Sequence, residues 1–188
     1  MNVTVTIPLI LQDLANLSWL LVTLLIAGVL EYFVWKTPPF QWLNVPIHST
    51  WFGENKRWRG LVSLPLMQVL PVYAFVALEH WLRSQGYFQD WTLFSDFVPW
   101  QYALISGFIF NLAELPNSFI KRRLQIAPGT ASGWIAFIGD HIDSTYGLLL
   151  AWGLIFHFPL HLLGVGAIAC PLLFMGSTLF RQRVGLKS

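Results

Sequence analysis

The chain has 188 residues, 55% of them hydrophobic and only 11% charged, and its ten tryptophans and mean hydropathy of +0.58 exclude an ordinary soluble domain. Eleven Lys and Arg against nine Asp and Glu leave a net charge of +2. That is a few clustered bases, not the basic surface that binds nucleic acid, so DNA and RNA are excluded as partners.

A membrane-crossing helix needs about 20 mostly apolar residues. Five stretches meet that length: Leu14 to Trp35, Leu61 to Leu82, Phe97 to Phe119, Trp134 to Phe156 and Pro159 to Phe180. The first has no basic segment ahead of it and keeps Asp13 before its apolar run, so it reads as a retained span, not a cleaved signal peptide. The pattern predicts an all-α, multi-pass membrane protein of about five transmembrane helices, one domain over 1–188 with loops at about 36–60 and 119–133. Lone Cys170, inside the last run, makes neither an internal disulfide nor a cysteine zinc site.

Lys36, Lys56, Arg57 and Arg59 follow the first span; Lys121, Arg122 and Arg123 follow the third; Arg181, Arg183 and Lys187 follow the fifth. The remaining base, Arg83, lies between spans two and three beside Asp90 and Asp96. The positive-inside rule then places the N-terminus outside and both basic loops and the C-terminus in the cytoplasm of a cell membrane.

Acids within apolar spans carry the functional information, because each costs about 2.5–3.5 kcal/mol at a helix centre unless a partner or a wet cavity relieves it. Glu31 and Glu79 lie near span ends and are expected to reach the headgroup region. Asn111, Glu114 and Ser118, spaced i, i+3, i+7, form one polar stripe, and Pro116 is expected to kink or end the helix that carries them. In span four, Asp140 and Asp143 share a helix face with Gly147, whose missing side chain admits a ligand or a neighbouring helix. Two close carboxylates at low dielectric resist joint ionisation unless a cation joins them. Oxygen donors with no cysteine and no regular histidine spacing favour Mg²⁺ over Zn²⁺. Span three descends where span four starts, so Glu114 is expected to face Asp140 and Asp143. His157 and His161 are expected at the outer interface, away from every carboxylate, and His141 is expected either to pack or to support the site's residues from behind. The bases of 53–60 and 119–124 either hold a polyphosphate beside these acids or serve topology alone.

Gly53-Glu-Asn-Lys-Arg-Trp-Arg-Gly60 resembles the Gly-Asp-Asn-Lys-Thr-Trp-Arg-Gly stretch of CDP-archaeol synthases, and Ser118-Phe-Ile-Lys-Arg-Arg-Leu124 with Gly129 resembles their Ser-Phe-Ile-Lys-Arg-Arg-Leu segment and its following glycine. Asp140-His-Ile-Asp143 resembles the Asp-Arg-Ile-Asp run of the wider phosphatidate cytidylyltransferases. The resemblance covers about residues 44–147. It implies a five-helix membrane enzyme that uses Mg²⁺ and CTP to turn a membrane lipid phosphate into a CDP-activated lipid and pyrophosphate, with its site at the cytoplasmic face of the bilayer. By the same resemblance, Glu114, Asp140 and Asp143 would hold the metal, with Lys121 acting beside them. Asn55, Lys56, Arg59, Ser118, Arg122, Arg123 and Gly129 would meet substrate. The chain departs from the family at Glu114, where Asp is usual, at Arg57, where Thr is, and at His48, where Asp is. Two rival readings are a non-catalytic or repurposed membrane relative and a small cation- or proton-coupled transporter. Gly164 and Gly166 permit close helix packing, within the chain or in a homodimer.

Overall fold

The computed structural model describes residues 7–89, 91, 93–127 and 134–183, and leaves the side chains of residues 134–136, 140 and 181 outside that description. Within it the chain is all-helical, the sole bridge of strand type joining Pro46 and Arg57. The first helix, α1 (Ile7–Val34), buries Asp13, Leu17, Leu20, Leu24, Ala27 and Glu31, a stripe at helical spacing that faces the other helices. Two short helices, α2 (Pro38–Trp42) and α3 (Ser49–Phe52), lead into α4 (Trp58–Ser84). After a 3-10 turn at Phe94–Asp96 come α5 (Pro99–Leu112), α6 (Glu114–Arg123), α7 (Trp134–Leu154) and α8 (Leu160–Arg183).

Four segments are long and apolar enough to cross a membrane: α1, α4, α5 with α6 taken as one, and α8. The sequence reading expects a fifth in the Trp134 stretch. With 21 residues α7 has the length, but Asp140, His141, Asp143, Ser144 and Thr145 interrupt its apolar run and it falls short on hydropathy. Lipid-facing chemistry is plain on the outer faces of the apolar helices, where Leu70 and Ile168 stay 68% and 71% exposed.

The expected break near Pro116 occurs between α5 and α6, at Ala113. Proline has no N–H for the Leu112 carbonyl and its ring crowds that carbonyl, so the regular helix ends there and restarts at Glu114. Helix approach is closest where side chains vanish. A Cβ on Gly107 would lie 2.7 Å from Pro65 Cα, and one on Gly147 would lie 2.2 Å from Ala113 Cβ. Gly147 thus admits a neighbouring helix, one of the two occupants its sequence position allows. Gly166 is likewise filled from within the chain: a Cβ there would meet Leu149 at 2.7 Å and Leu17 at 3.3 Å.

The core has two regions. Phe94, Phe97, Tyr102, Trp152, Phe156 and Phe158 form an aromatic cluster, with ring centroids 4.9–6.3 Å apart among the contacting pairs, under the 85–98 connection. At the opposite end, the end of α1, the start of α4, the α5–α6 break, the first half of α7 and the end of α8 converge on a polar cavity.

Three expectations about charged residues are corrected. Glu79, expected to reach out into the headgroup region, is 1% exposed instead: its Oε1 lies 2.9 Å from Arg83 Nε, and Ser95 donates to it from both its backbone N–H and its hydroxyl. Glu31 is also buried and accepts a hydrogen bond from Ser63 Oγ. His161 is not remote from acids, since its Nδ1 sits 2.9 Å from Oδ2 of buried Asp13. In each case tertiary packing supplies the partner that lets a polar group stay in an apolar setting.

Candidate functional site

The cavity at the polar end holds about 810 Å³. Its first wall is the 43–59 connection. Ile47 N–H donates to the Lys56 carbonyl at 2.9 Å, Trp58 N–H to Val45 at 3.1 Å and Arg59 N–H to Leu43 at 2.8 Å, so the connection folds back on itself as a short antiparallel ladder with α3 at its tip. His48 caps α3, its Nδ1 accepting from Trp51 N–H at 3.3 Å while its ring stacks on Trp51 at 4.8 Å. Arg57 braces the loop from inside, donating from Nη1 to the Asn44 carbonyl at 2.8 Å and from Nε to the Glu54 carbonyl at 3.0 Å. The ladder turns Asn55, Lys56 and Arg59 into the cavity.

The second wall is the α5–α6 break. Asn111 Nδ2 donates to the Gly60 carbonyl at 2.7 Å, tying α5 to the first turn of α4. One helical step on, Glu114 forms an ion pair with Lys56 and accepts from Ser144 Oγ at 3.0 Å. Its two oxygens thus join the 53–60 loop, the break and α7. Ser118 donates to the Glu114 carbonyl at 2.9 Å, and Lys121 and Arg122 line the cavity from the following turn. Arg59 Nε and Arg122 Nε are buried with no hydrogen-bond acceptor among the described residues. Buried guanidinium N–H groups without an acceptor are costly, and an anion in the cavity is one group that would satisfy them.

The third wall brings Asp143 and Ser144 from α7 and Thr178 from α8. His141 fills the seam between those helices and also lines the cavity, with Nδ1 2.7 Å from the Phe137 carbonyl and Nε2 2.9 Å from Thr178 Oγ1. Leu24, Leu61, Leu64, Phe110 and Phe174 close the rest of the cavity with apolar surface. One volume therefore offers bases and carboxylates at one side and hydrocarbon at the other.

Of the site residues expected from sequence, Asn55, Lys56, Arg59, Glu114, Ser118, Lys121, Arg122 and Asp143 all line this cavity. Arg123 does not. It turns outward, donating from Nη2 to the Thr50 carbonyl at 2.9 Å and lying over the Phe119 ring at 5.0 Å. Asp140 lies in α7 with its side chain outside the described residues, and Gly129 lies outside them altogether. Sequence reasoning missed Glu31, Trp35, Ser144 and Thr178 as wall residues. Only Glu31 carried a signal, an acid in an apolar run, and its position near the span's end pointed to the interface instead.

Among the described residues no three His, Cys, Asp or Glu side chains group closely enough to hold a metal ion by themselves. Mg²⁺ asks less than that, because it is commonly held by one or two carboxylates with phosphate oxygens and water completing the octahedron. Asp143 and Glu114 on one cavity are hard oxygen donors of that kind. The donor set fits Mg²⁺, with the condition that Lys56 yields the Glu114 oxygen it now pairs. Comparison with protein-family models, curated proteins and solved structures gives no match to this chain.

Proposed function

We propose that the protein is a CTP:lipid-phosphate cytidylyltransferase working at the cytoplasmic face of a cell membrane, with α7 as a fifth span and the basic loops inside. The observation that carries the reading is the shared cavity, in which Lys56, Arg59, Lys121 and Arg122 stand beside Glu114 and Asp143 while leucines and phenylalanines line the remainder. A charged nucleotide and an amphiphile with a phosphate head need such a two-sided volume, and the resemblance of the 53–60, 118–124 and 140–143 segments to cytidylyltransferases points the same way.

The chemistry asks little of the protein beyond charge and alignment. An oxygen of the lipid phosphate attacks the α-phosphorus of CTP. The bond from that phosphorus to its bridging oxygen breaks, and the electron pair leaves with pyrophosphate. The nucleophile is already anionic at neutral pH, so no general base is required. Mg²⁺, held by Asp143 and Glu114 with Asp140 assigned by resemblance, would supply charge neutralisation at the phosphate oxygens. Lys56 exchanges Glu114 for a phosphate oxygen on binding, which keeps both charges paired before and after. Arg59 and Arg122 direct their vacant Nε donors to non-reacting oxygens, and Lys121 adds charge at the same wall.

The test is Mg²⁺-dependent pyrophosphate release from CTP by detergent-purified protein offered a panel of lipid phosphates. Release with one lipid class is expected. Asp143→Asn, which keeps shape but removes a carboxylate charge, should lower kcat at least about a hundredfold. Silence across the panel from folded protein overturns the reading, and undiminished release by the variant overturns the role of Asp143.

A further inference from the structure

Glu31 has no part in the chemistry above, yet it is an acid buried in the cavity wall directly behind one of the bases. Two i, i+4 pairs interlock there. Glu31 and Trp35 share a face at the end of α1, and Arg59 and Ser63 share a face at the start of α4. Ser63 Oγ accepts from Trp35 Nε1–H at 2.8 Å and sits within donating distance of both the Glu31 carboxylate and the Arg59 carbonyl, the latter at 2.8 Å. A hydroxyl has one proton and two lone pairs, so Ser63 can donate to one of these neighbours and still accept from the indole. Held among Glu31, Arg59 and Trp35, the Ser63 oxygen keeps a lone pair toward the indole N–H. The indole so anchored carries the Arg59 guanidinium on its face, Cζ 4.0 Å from the ring centroid.

We infer that Glu31 is a positioning residue: acting through Ser63 and Trp35, it sets the Arg59 guanidinium in the cavity so that its donors meet a phosphate oxygen. The inference rests on the phosphate-binding role given to Arg59 above. It assigns the end of α1, which lies outside the segments that resemble the cytidylyltransferases, a part in anion recognition. A flexible arginine loses rotamer freedom on binding; stacking on a hydrogen-bonded indole removes that loss beforehand.

The measurement is calorimetric binding of inorganic pyrophosphate, with Mg²⁺ present, to the full-length protein in detergent. Glu31→Leu and Trp35→Leu should each weaken binding by about tenfold, the scale of a partly desolvated cation–π contact. Glu31→Gln keeps an acceptor for Ser63 and should stay within about twofold of wild type. In an Arg59→Ala background, Glu31→Leu should have no further effect, because a residue acting through Arg59 has nothing left to position. Each variant is first matched to wild type in monodispersity and thermal midpoint, and Trp35→Phe, which keeps a ring but loses the N–H, replaces any that fails. Four results overturn the inference: undiminished binding by Glu31→Leu, additive losses in the double variant, tighter binding in Glu31→Leu and Glu31→Gln alike, as a bare repulsive charge would give, or no pyrophosphate binding by the wild type. Pyrophosphate binding that follows this pattern without CTP turnover would instead overturn the cytidylyltransferase reading and leave the positioning role standing.

Discussion

At the scale of single residues, the molecule keeps ionisable side chains in apolar surroundings by giving each a partner distant in sequence. Asp13 and His161 are the plainest case, 148 positions apart and joined at 2.9 Å, with only 2% of the Asp13 side chain exposed. Removing one member leaves the other buried without compensation, whereas replacing both with apolar groups removes the desolvation cost along with the pair. His161→Phe should therefore lower unfolding stability in detergent by about 2 kcal/mol, and Asp13→Leu combined with His161→Phe should recover most of the loss. Equal destabilisation by the single and double variants would show that the loss does not come from a carboxylate left buried without its partner. The same logic explains what sequence could not convey. Glu31, Glu79 and His161 all sit near the ends of apolar runs, where an interfacial position and a buried pair look alike. Only the fold, by bringing Ser63, Arg83, Ser95 and Asp13 against them, separates the two. Glu114 and Asp143 were legible because they lie inside polar stripes at helical spacing, and a stripe is visible without knowing its neighbours.

At the scale of elements, the α5–α6 break and the first half of α7 act as one joint. Pro116 interrupts the helix, Ala113 fills the gap left by Gly147, and the seam places Glu114 against Ser144 at 3.0 Å. Gly147→Ala would put a methyl 2.2 Å from Ala113 Cβ, which no rotamer can relieve. The helices must separate, at about 2 kcal/mol of stability, and Glu114 moves with them. Ala113→Gly removes the clashing methyl while the next atom, Ala113 Cα at 3.6 Å, stays in ordinary contact. The double variant Gly147→Ala, Ala113→Gly should thus regain the thermal midpoint and the pyrophosphate release that Gly147→Ala loses; failure to regain either would mean that the contact does not set the joint. The break itself was legible, since proline acts locally. The partner across it was not, because glycine admits a ligand and a helix equally well and its sequence position does not choose.

At the scale of the whole molecule, the buried carboxylates fall into two layers, and the buried polar groups between them, Thr23, Gln68 and Ser106, are uncharged. Along α1, Asp13 and Glu31 are eighteen residues apart, about 27 Å of helix. Along α4, Arg59 and Glu79 are twenty residues apart, about 30 Å. Both spacings match a hydrocarbon thickness of about 30 Å. Between the layers the helices bury mainly leucines and aromatic rings and expose leucine and isoleucine outward. That is the profile of helices crossing a bilayer with a polar rim at each surface, and apolar runs announce it in sequence because length and composition need no tertiary information. Charge predicts which rim faces the cytoplasm: the cavity rim carries Lys56, Arg57, Arg59, Lys121 and Arg122, and the other rim carries Arg83 already paired with Glu79. Cys170 is fully buried, so a single introduced thiol reports its own side of the membrane. Glu54 and Gln85 are exposed, one in the cavity loop and the other just past α4. In intact cells a membrane-impermeant maleimide should label Gln85→Cys and spare Glu54→Cys until the membrane is opened. The reverse pattern would put the cavity on the outer face, away from any cytoplasmic nucleotide, and would end the cytidylyltransferase reading at once.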